Sequence, residues 1–419
     1  MFTITPRTTL HRSLLAAVVL LTAFSLTSCG SDTGDKKSGS SDADSAIAAA
    51  PEGTFAGKKA TGAPVKVGLL SSEGGLVDMT DSRMSAEAAV EYANENLGGL
   101  AGHKIDLQIC KYHEEDPSTA TKCANELVQS DVVAVVSQAT GLGAQILPIV
   151  TQAGLSYSTY SGNSPAEMGT PGSFLWTGGT PSIATTMAKV AAGDKVKNFT
   201  LYVIDTGEVT AQMQALATPI FKAAGVKLKV IAIPIGQPDT SPQVAAGLES
   251  KPEAVAIIGD ANTCASVLKG LKTVGSDATK YLIQPCTDPL VAKAVPDAYK
   301  DAYLISPTGA TGSDDEGKAY RAIMAKYAPD APISGQAPTG YQSVLGFIRA
   351  VNAGISGDKI TAETVKAAIG NAKDVPLPLG AGIMMTCDGK QSPIVPAACS
   401  NLNLVGKFEG NTVPKFEIL

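Results

Sequence analysis

The chain has 419 residues, 17% of them charged and 5% aromatic, with a formal net charge of −6 at pH 7. This acidic balance excludes nucleic acid as a partner, because phosphate binding needs a concentrated basic surface. Beyond the N-terminal region no apolar stretch reaches the roughly 18 residues needed to cross a bilayer, so a soluble globular body is expected.

The chain opens with Arg7, His11 and Arg12, followed by the apolar run from Leu14 to Leu21. That is a basic n-region and an h-region of signal-peptide length. Thr22, Ser25 and Thr27 interrupt it too early for a span of about 30 Å. The run ends in Leu26-Thr27-Ser28-Cys29, which resembles a lipoprotein signal. The resemblance implies cleavage of residues 1–28, a diacylglycerol on the thiol of Cys29, and a protein held at the outer face of the cell membrane. Residues 29–63 are mostly Gly, Ser, Asp, Lys and Ala. With almost nothing to bury they are expected to form a flexible tether spanning roughly 30 Å.

The folded body begins at Pro64. Residues 65–70 read as a strand, 71–75 as a loop, and 82–96 as an amphipathic helix in which Met84, Ala88, Val90 and Tyr92 recur at helical spacing. A strand at 103–110, a helix at 118–129 and a strand at 132–136 repeat the order. Further strands at 199–204, 228–233, 254–258 and 281–283 alternate with helices near 211–224, 241–250 and 262–274. Short apolar strands separated by helices imply βαβ units around parallel sheets buried on both faces. The roughly 355 residues after the tether exceed what one core usually supports, so two Rossmann-like α/β lobes are expected. The first lobe is assigned 64–180 and 307–378, the second 181–306 and 379–419, with crossings near Gly178–Pro181 and Ser306-Pro307. Ligands of open parallel sheets bind beyond the carboxyl ends of the strands. Two facing sheets therefore place a cleft between the lobes.

Besides Cys29 there are six cysteines: Cys110, Cys123, Cys264, Cys286, Cys387 and Cys399. An even number in an exported chain suggests disulfides, with fifteen connectivities open; the three close pairs, 110 with 123, 264 with 286 and 387 with 399, are favoured. No Cys-x-x-Cys spacing exists, and His103 and His113 are the only histidines outside the signal. Neither a metal site nor any cofactor is therefore expected.

Several stretches resemble the branched-chain amino-acid-binding proteins and their amide- and urea-binding relatives, which have the type I periplasmic binding fold. These are Asn94-Glu95-Asn96-Leu97-Gly98-Gly99 with Leu100 to Ile105, Asp116-Pro117-Ser118 opening a helix, Asp131 to Val136 before a small polar loop, Ala153-Gly154-Leu155, Ser164-Pro165-Ala166-Glu167, and Tyr341 to Ala353. The likeness spans about residues 64–410. It implies a monomeric solute-binding protein that hands a small polar ligand to ABC permease subunits. It also implies that Thr140, beside Ala139 and Gly141, meets a ligand carboxylate through its hydroxyl and nearby amides, and that Ser161, Gly162 and Asn163 form the next binding loop. Small residues let backbone N–H groups approach an anion, and a hydroxyl both donates and accepts. Thr140 is also suited to capping a helix near Gly143, and the two roles are compatible.

On the second lobe the family pattern breaks. Asp205-Thr206-Gly207-Glu208-Val209 puts Val209 where a Tyr is common, and Cys286 stands where an acid would hold an ammonium. Asp260 can take over that role, and Asp205 can serve a polyol or amide, although strand-end acids are often only solvated. No Gly-x-Ser-x-Gly, Walker-type or His-Glu-x-x-His pattern appears, so catalysis is not expected. A sensor module signalling to a membrane partner would use the same cleft and is the alternative.

Overall fold

A computed structural model describes residues 38–205, 209–355 and 359–419. The signal segment 1–28, Cys29 and Thr206 lie outside the described residues. Among the described residues no helix is long and apolar enough to cross a membrane.

The body contains two sheets. In the first, β1 (Gly62–Ser72), β2 (His103–Tyr112), β3 (Ala134–Ser137), β4 (Ser156–Thr159) and β5 (Ser173–Leu175) lie in the order β2-β1-β3-β4-β5, all parallel. The second sheet is built from β6 (Asn198–Asp205), β7 (Lys227–Pro234), β8 (Ala254–Ile258), β9 (Thr279–Leu282) and β10 (Ala302–Ser306). A short pair, β11 (Val375–Pro376) and β12 (Met384–Met385), stands apart, and β13 (Leu404–Lys407) and β14 (Glu417–Ile418) add antiparallel strands to the second sheet. Its order is β14-β13-β10-β9-β8-β6-β7.

Each sheet is buried on both faces, which is why its strands are apolar runs rather than alternating ones. Val67, Leu69, Val136, Tyr341 and Phe347 belong to the core on one face of the first sheet, and Leu70, Val135, Ile146 and Tyr157 to that on the other. In the second lobe, Tyr202, Val255 and Leu282 lie in one core, and Phe199, Leu201 and Tyr281 in its counterpart. Helix Pro117–Gln129 shows how local sequence sets an element. Pro117 stands in its first turn, and the Asp116 carboxylate accepts from the Ser118 amide at 2.9 Å, satisfying an otherwise orphaned donor.

The chain crosses between lobes at 177–179, 306–309 and 400–403. Gly179 takes φ +61°, and a side chain there would press on the Gly162 carbonyl. Gln342 Nε2 donates to the Pro307 carbonyl at 3.0 Å and the Pro378 carbonyl at 2.7 Å, fixing one crossing against the first lobe. Placing residues 379–400 in the second lobe was wrong. Leu379, Ile383, Met385, Cys387 and Cys399 all belong to the first core, and the chain rejoins the second sheet only at β13.

The tether expectation also fails in its later part. Ser38–Ala48 is helical, as its Ala and Ser content permits, and residues 51–62 pack on the first lobe. Phe55 meets Tyr92 edge-on at 6.4 Å and Tyr327 at 6.5 Å, with the Lys326 ammonium 4.7 Å above its ring. The Ala60 amide donates to the Asn94 carbonyl at 2.8 Å.

All three favoured disulfides are present: Cys110–Cys123, Cys264–Cys286 and Cys387–Cys399. The first joins β2 to the helix Pro117–Gln129.

Candidate functional site in the interlobe cleft

The carboxyl ends of β1, β2, β3 and β4 and those of β6, β8 and β9 converge on one cavity of about 150 Å³. This is below the roughly 300–1,000 Å³ of sites for drug-sized ligands and suits a small metabolite. The first lobe contributes its polar wall: Glu114 after β2, Ala139, Thr140 and Gly141 after β3, and Tyr160, Ser161 and Asn163 after β4. Val77 and Met79 flank it from the loop after β1. The second lobe contributes Ile204, Ile258 and Ile283, with Gly259, Asp260 and Pro285 between them.

Two nested carboxylates hold the polar wall. Glu167, fully buried, accepts from the amides of Asn163 and Ser164, both at 3.0 Å, from the Ser164 hydroxyl at 2.9 Å and from the Tyr157 hydroxyl at 2.8 Å. A capping box on Pro165–Gly169 completes the arrangement. Gly143 must be glycine, because a Cβ there would overlap the Glu167 carboxylate. Burial raises the Glu167 pKa above the usual carboxylate value, opposed by the Tyr157, Asn163 and Ser164 hydrogen bonds.

Glu114 is the second. The Thr140 hydroxyl donates to its two oxygens at 3.2 and 3.1 Å, and the Gly141 amide donates to Oε1. Burial raises its pKa too, against the bonds from Gly141, Thr140 and Tyr112. Thr140 Oγ1 also accepts from the Leu142 amide at 2.9 Å, just before the helix Gly143–Gln152. Thr140 thus ties down the start of the helix and faces the cavity at once. Its hydroxyl and the Gly141 amide hold the chain's own carboxylate.

Ala139, Thr140, Gly141, Ser161, Asn163 and Asp260 line the cavity, whereas Gly162 lies behind it, against Leu175. Asp260 also caps the helix Ala261–Thr273, its Oδ1 accepting from the Thr263 amide at 2.8 Å. Asp205 ends β6 one residue beyond Ile204, and Val209 opens the helix Val209–Ala223. Cys286 is displaced from its expected place. It is fully buried in the second core and bonded to Cys264, and the neighbouring Pro285 lines the cleft instead. Sequence reasoning missed Glu114, Gln336 and four isoleucines, Ile183, Ile204, Ile258 and Ile283. All but Ile183, which is helical, lie at or just past the carboxyl end of a parallel strand, the signal that could have found them.

These features define a two-lobed α/β protein with a cavity between its parallel sheets. The model of the periplasmic binding protein family matches residues 64–398, and the chain belongs to that family. Family membership goes with an extracytoplasmic location. The structure is similar to a leucine-binding protein, LivK, from Thermotoga maritima, with 14% identity over 85% of this chain and 98% of that one and a TM-score of 0.69. It is similar to the branched-chain amino acid transporter substrate-binding protein LivJ from Streptococcus pneumoniae in complex with isoleucine, with 18% identity, 85% and 99% coverage and a TM-score of 0.68. A fatty acid ABC transporter substrate-binding protein from Thermomonospora curvata matches with 16% identity, 88% and 95% coverage and a TM-score of 0.69. At such identities the likeness carries the α/β type I periplasmic binding fold and not the ligand. No curated protein sequence matches the chain.

Proposed function

We propose that the protein is an extracytoplasmic solute-binding lipoprotein, anchored through Cys29, that captures a small polar ligand and delivers it to an ABC-type importer. The observation that carries this reading is one cavity walled by strand ends of both lobes. A ligand there bridges the lobes, so its binding energy favours a closed arrangement over an open one. It docks first on the loops of Thr140 and of Ser161 to Asn163. The second lobe then swings over it about the crossings, a hinge motion in which few residues change. The permease subunits recognise the closed monomer, and the role is capture, not catalysis.

A thermal-shift screen of the purified protein against amino acids, amines, amides, urea, polyols and short carboxylates tests this. A ligand at a hundred times its dissociation constant adds about 2.7 kcal/mol of stability, and Thr140→Ala should shrink that shift. No shift from any compound would count against solute capture. An unchanged shift in Thr140→Ala would move the site elsewhere.

A further inference from the structure

Four donor residues of the wall are turned inward. The Thr140 hydroxyl and the Gly141 amide donate to Glu114. The Asn163 amide donates to Glu167 at 3.0 Å, and its side-chain amide to the Thr140 carbonyl at 3.2 Å. The Thr180 hydroxyl donates to Asn163 Oδ1 at 3.1 Å. Two carboxylates face the cavity alongside the Tyr160 and Ser161 side chains. Glu114 stands on one wall and Asp260 on the other, where only Oδ1 of Asp260 serves its helix. Gln336 also lines the cavity, and its side-chain oxygen is buried with no hydrogen-bond partner. Among the described lining residues there is no lysine or arginine.

A carboxylate entering this space would meet like charge on both walls, with the Thr140 and Gly141 donors already taken. A group carrying positive charge and several N–H bonds would meet two carboxylates, and charge-assisted hydrogen bonds of that kind are the strong ones. The apolar part of the lining, with Ile183, Ile204, Ile258 and Ile283 on one side and Val77 and Met79 on the other, suits a short apolar body. We infer that the cleft selects a ligand with a cationic head, a primary ammonium or an amidinium, on a short apolar body. Glu114 sets that choice by occupying the donors that would otherwise hold a carboxylate. This rests on the reading of the cleft as a solute site and names the class of solute.

The test is calorimetric titration of the purified protein with matched pairs that share a body and differ in head. Isopentylamine is compared with isovalerate, and phenethylamine with phenylacetate; leucine is added as a zwitterion. The amines should bind tighter than their partner acids by roughly tenfold to a hundredfold. Glu114→Gln should lose most of that margin with its fold intact by circular dichroism. Glu114→Ala, which frees the Thr140 and Gly141 donors, should reverse the preference. Acids bound as tightly as amines by the wild type, or an amine preference unmoved in both variants, would overturn the inference while leaving solute capture standing. Failure of every compound to bind wild type would overturn the inference and weigh against capture as well.

Discussion

Removing the Glu167 carboxylate should unhinge the first-lobe binding loop, and the cost can be worked from its contacts. Glu167→Ala leaves the amides of Asn163 and Ser164 and the hydroxyl of Tyr157 without their acceptor in a fully buried pocket. At about 1–3 kcal/mol for each orphaned group, less what local relaxation recovers, the loss is about 4 kcal/mol. Glu167→Gln keeps an oxygen for the three donors at Oε2, and the Tyr157 hydroxyl can turn from donor to acceptor. Its cost should stay near 1 kcal/mol. Urea unfolding followed by the fluorescence of Trp176, the single tryptophan and fully buried in the first-lobe core, reads this lobe directly. The isostere also isolates a pH effect. Burial raises the Glu167 pKa above 4.5, so the folded protein holds the proton more tightly than the unfolded chain. The stability from protonation is complete below the unfolded value and is lost as pH rises through the folded one. Wild type should therefore gain on Glu167→Gln as pH falls from 7 toward 5. Glu167→Ala within 1 kcal/mol of wild type, Glu167→Gln as costly as alanine, or wild type losing ground on acidification would each refute the reasoning.

Gly340→Ala should destabilise by about 1–3 kcal/mol or more, because its Cβ would overlap the Ser82 carbonyl where the helices Ala337–Gly354 and Thr80–Asn96 pack; the urea midpoint measures it. Replacing Cys264 and Cys286 by alanine opens a link with a sequence separation of 22. That should cost about 3 kcal/mol, and reductant should no longer lower the midpoint on this account. Phe55→Ala should cost about 1–2 kcal/mol and expose residues 51–60 to limited proteolysis, with the remainder of the body intact on a gel.

The fold was legible where burial requires apolar residues. The strands 65–70, 199–204 and 254–258 lie inside β1, β6 and β8, and the helices between them follow. β4 was not, because Ser156-Tyr157-Ser158-Thr159 is fully buried with mostly polar side chains, and the hydroxyls of Ser156 and Ser158 find no partner. Hydrophobic pattern cannot reveal such a strand. Within the site, Thr140, Ser161 and Asn163 emerged by counting along the family pattern, since backbone geometry dictates small polar residues there. Glu114 did not. It sits beside Glu115 in a run that reads as solvated charge, and only the fold brings it against Thr140, 26 residues away. The segment 379–400 went to the wrong lobe for a similar reason, since its Pro, Gly and Cys content marks a clipped loop without saying which core receives Ile383 and Met385.

The docking of residues 51–62 on the first lobe has a consequence for the proposed hinge closure. Any attachment reaching the body from its N-terminus pulls on the helices that carry Tyr92 and Tyr327. The second lobe hangs from three slender connections and receives no such load. For a protein held at a membrane, the first lobe is then the door frame and the second the door. On the proposed hinge closure, the half bearing Ile204, Ile258 and Ile283 would sweep through solvent, while the half bearing Thr140 and Glu114 would keep its bearing on any anchor reached through the N-terminus.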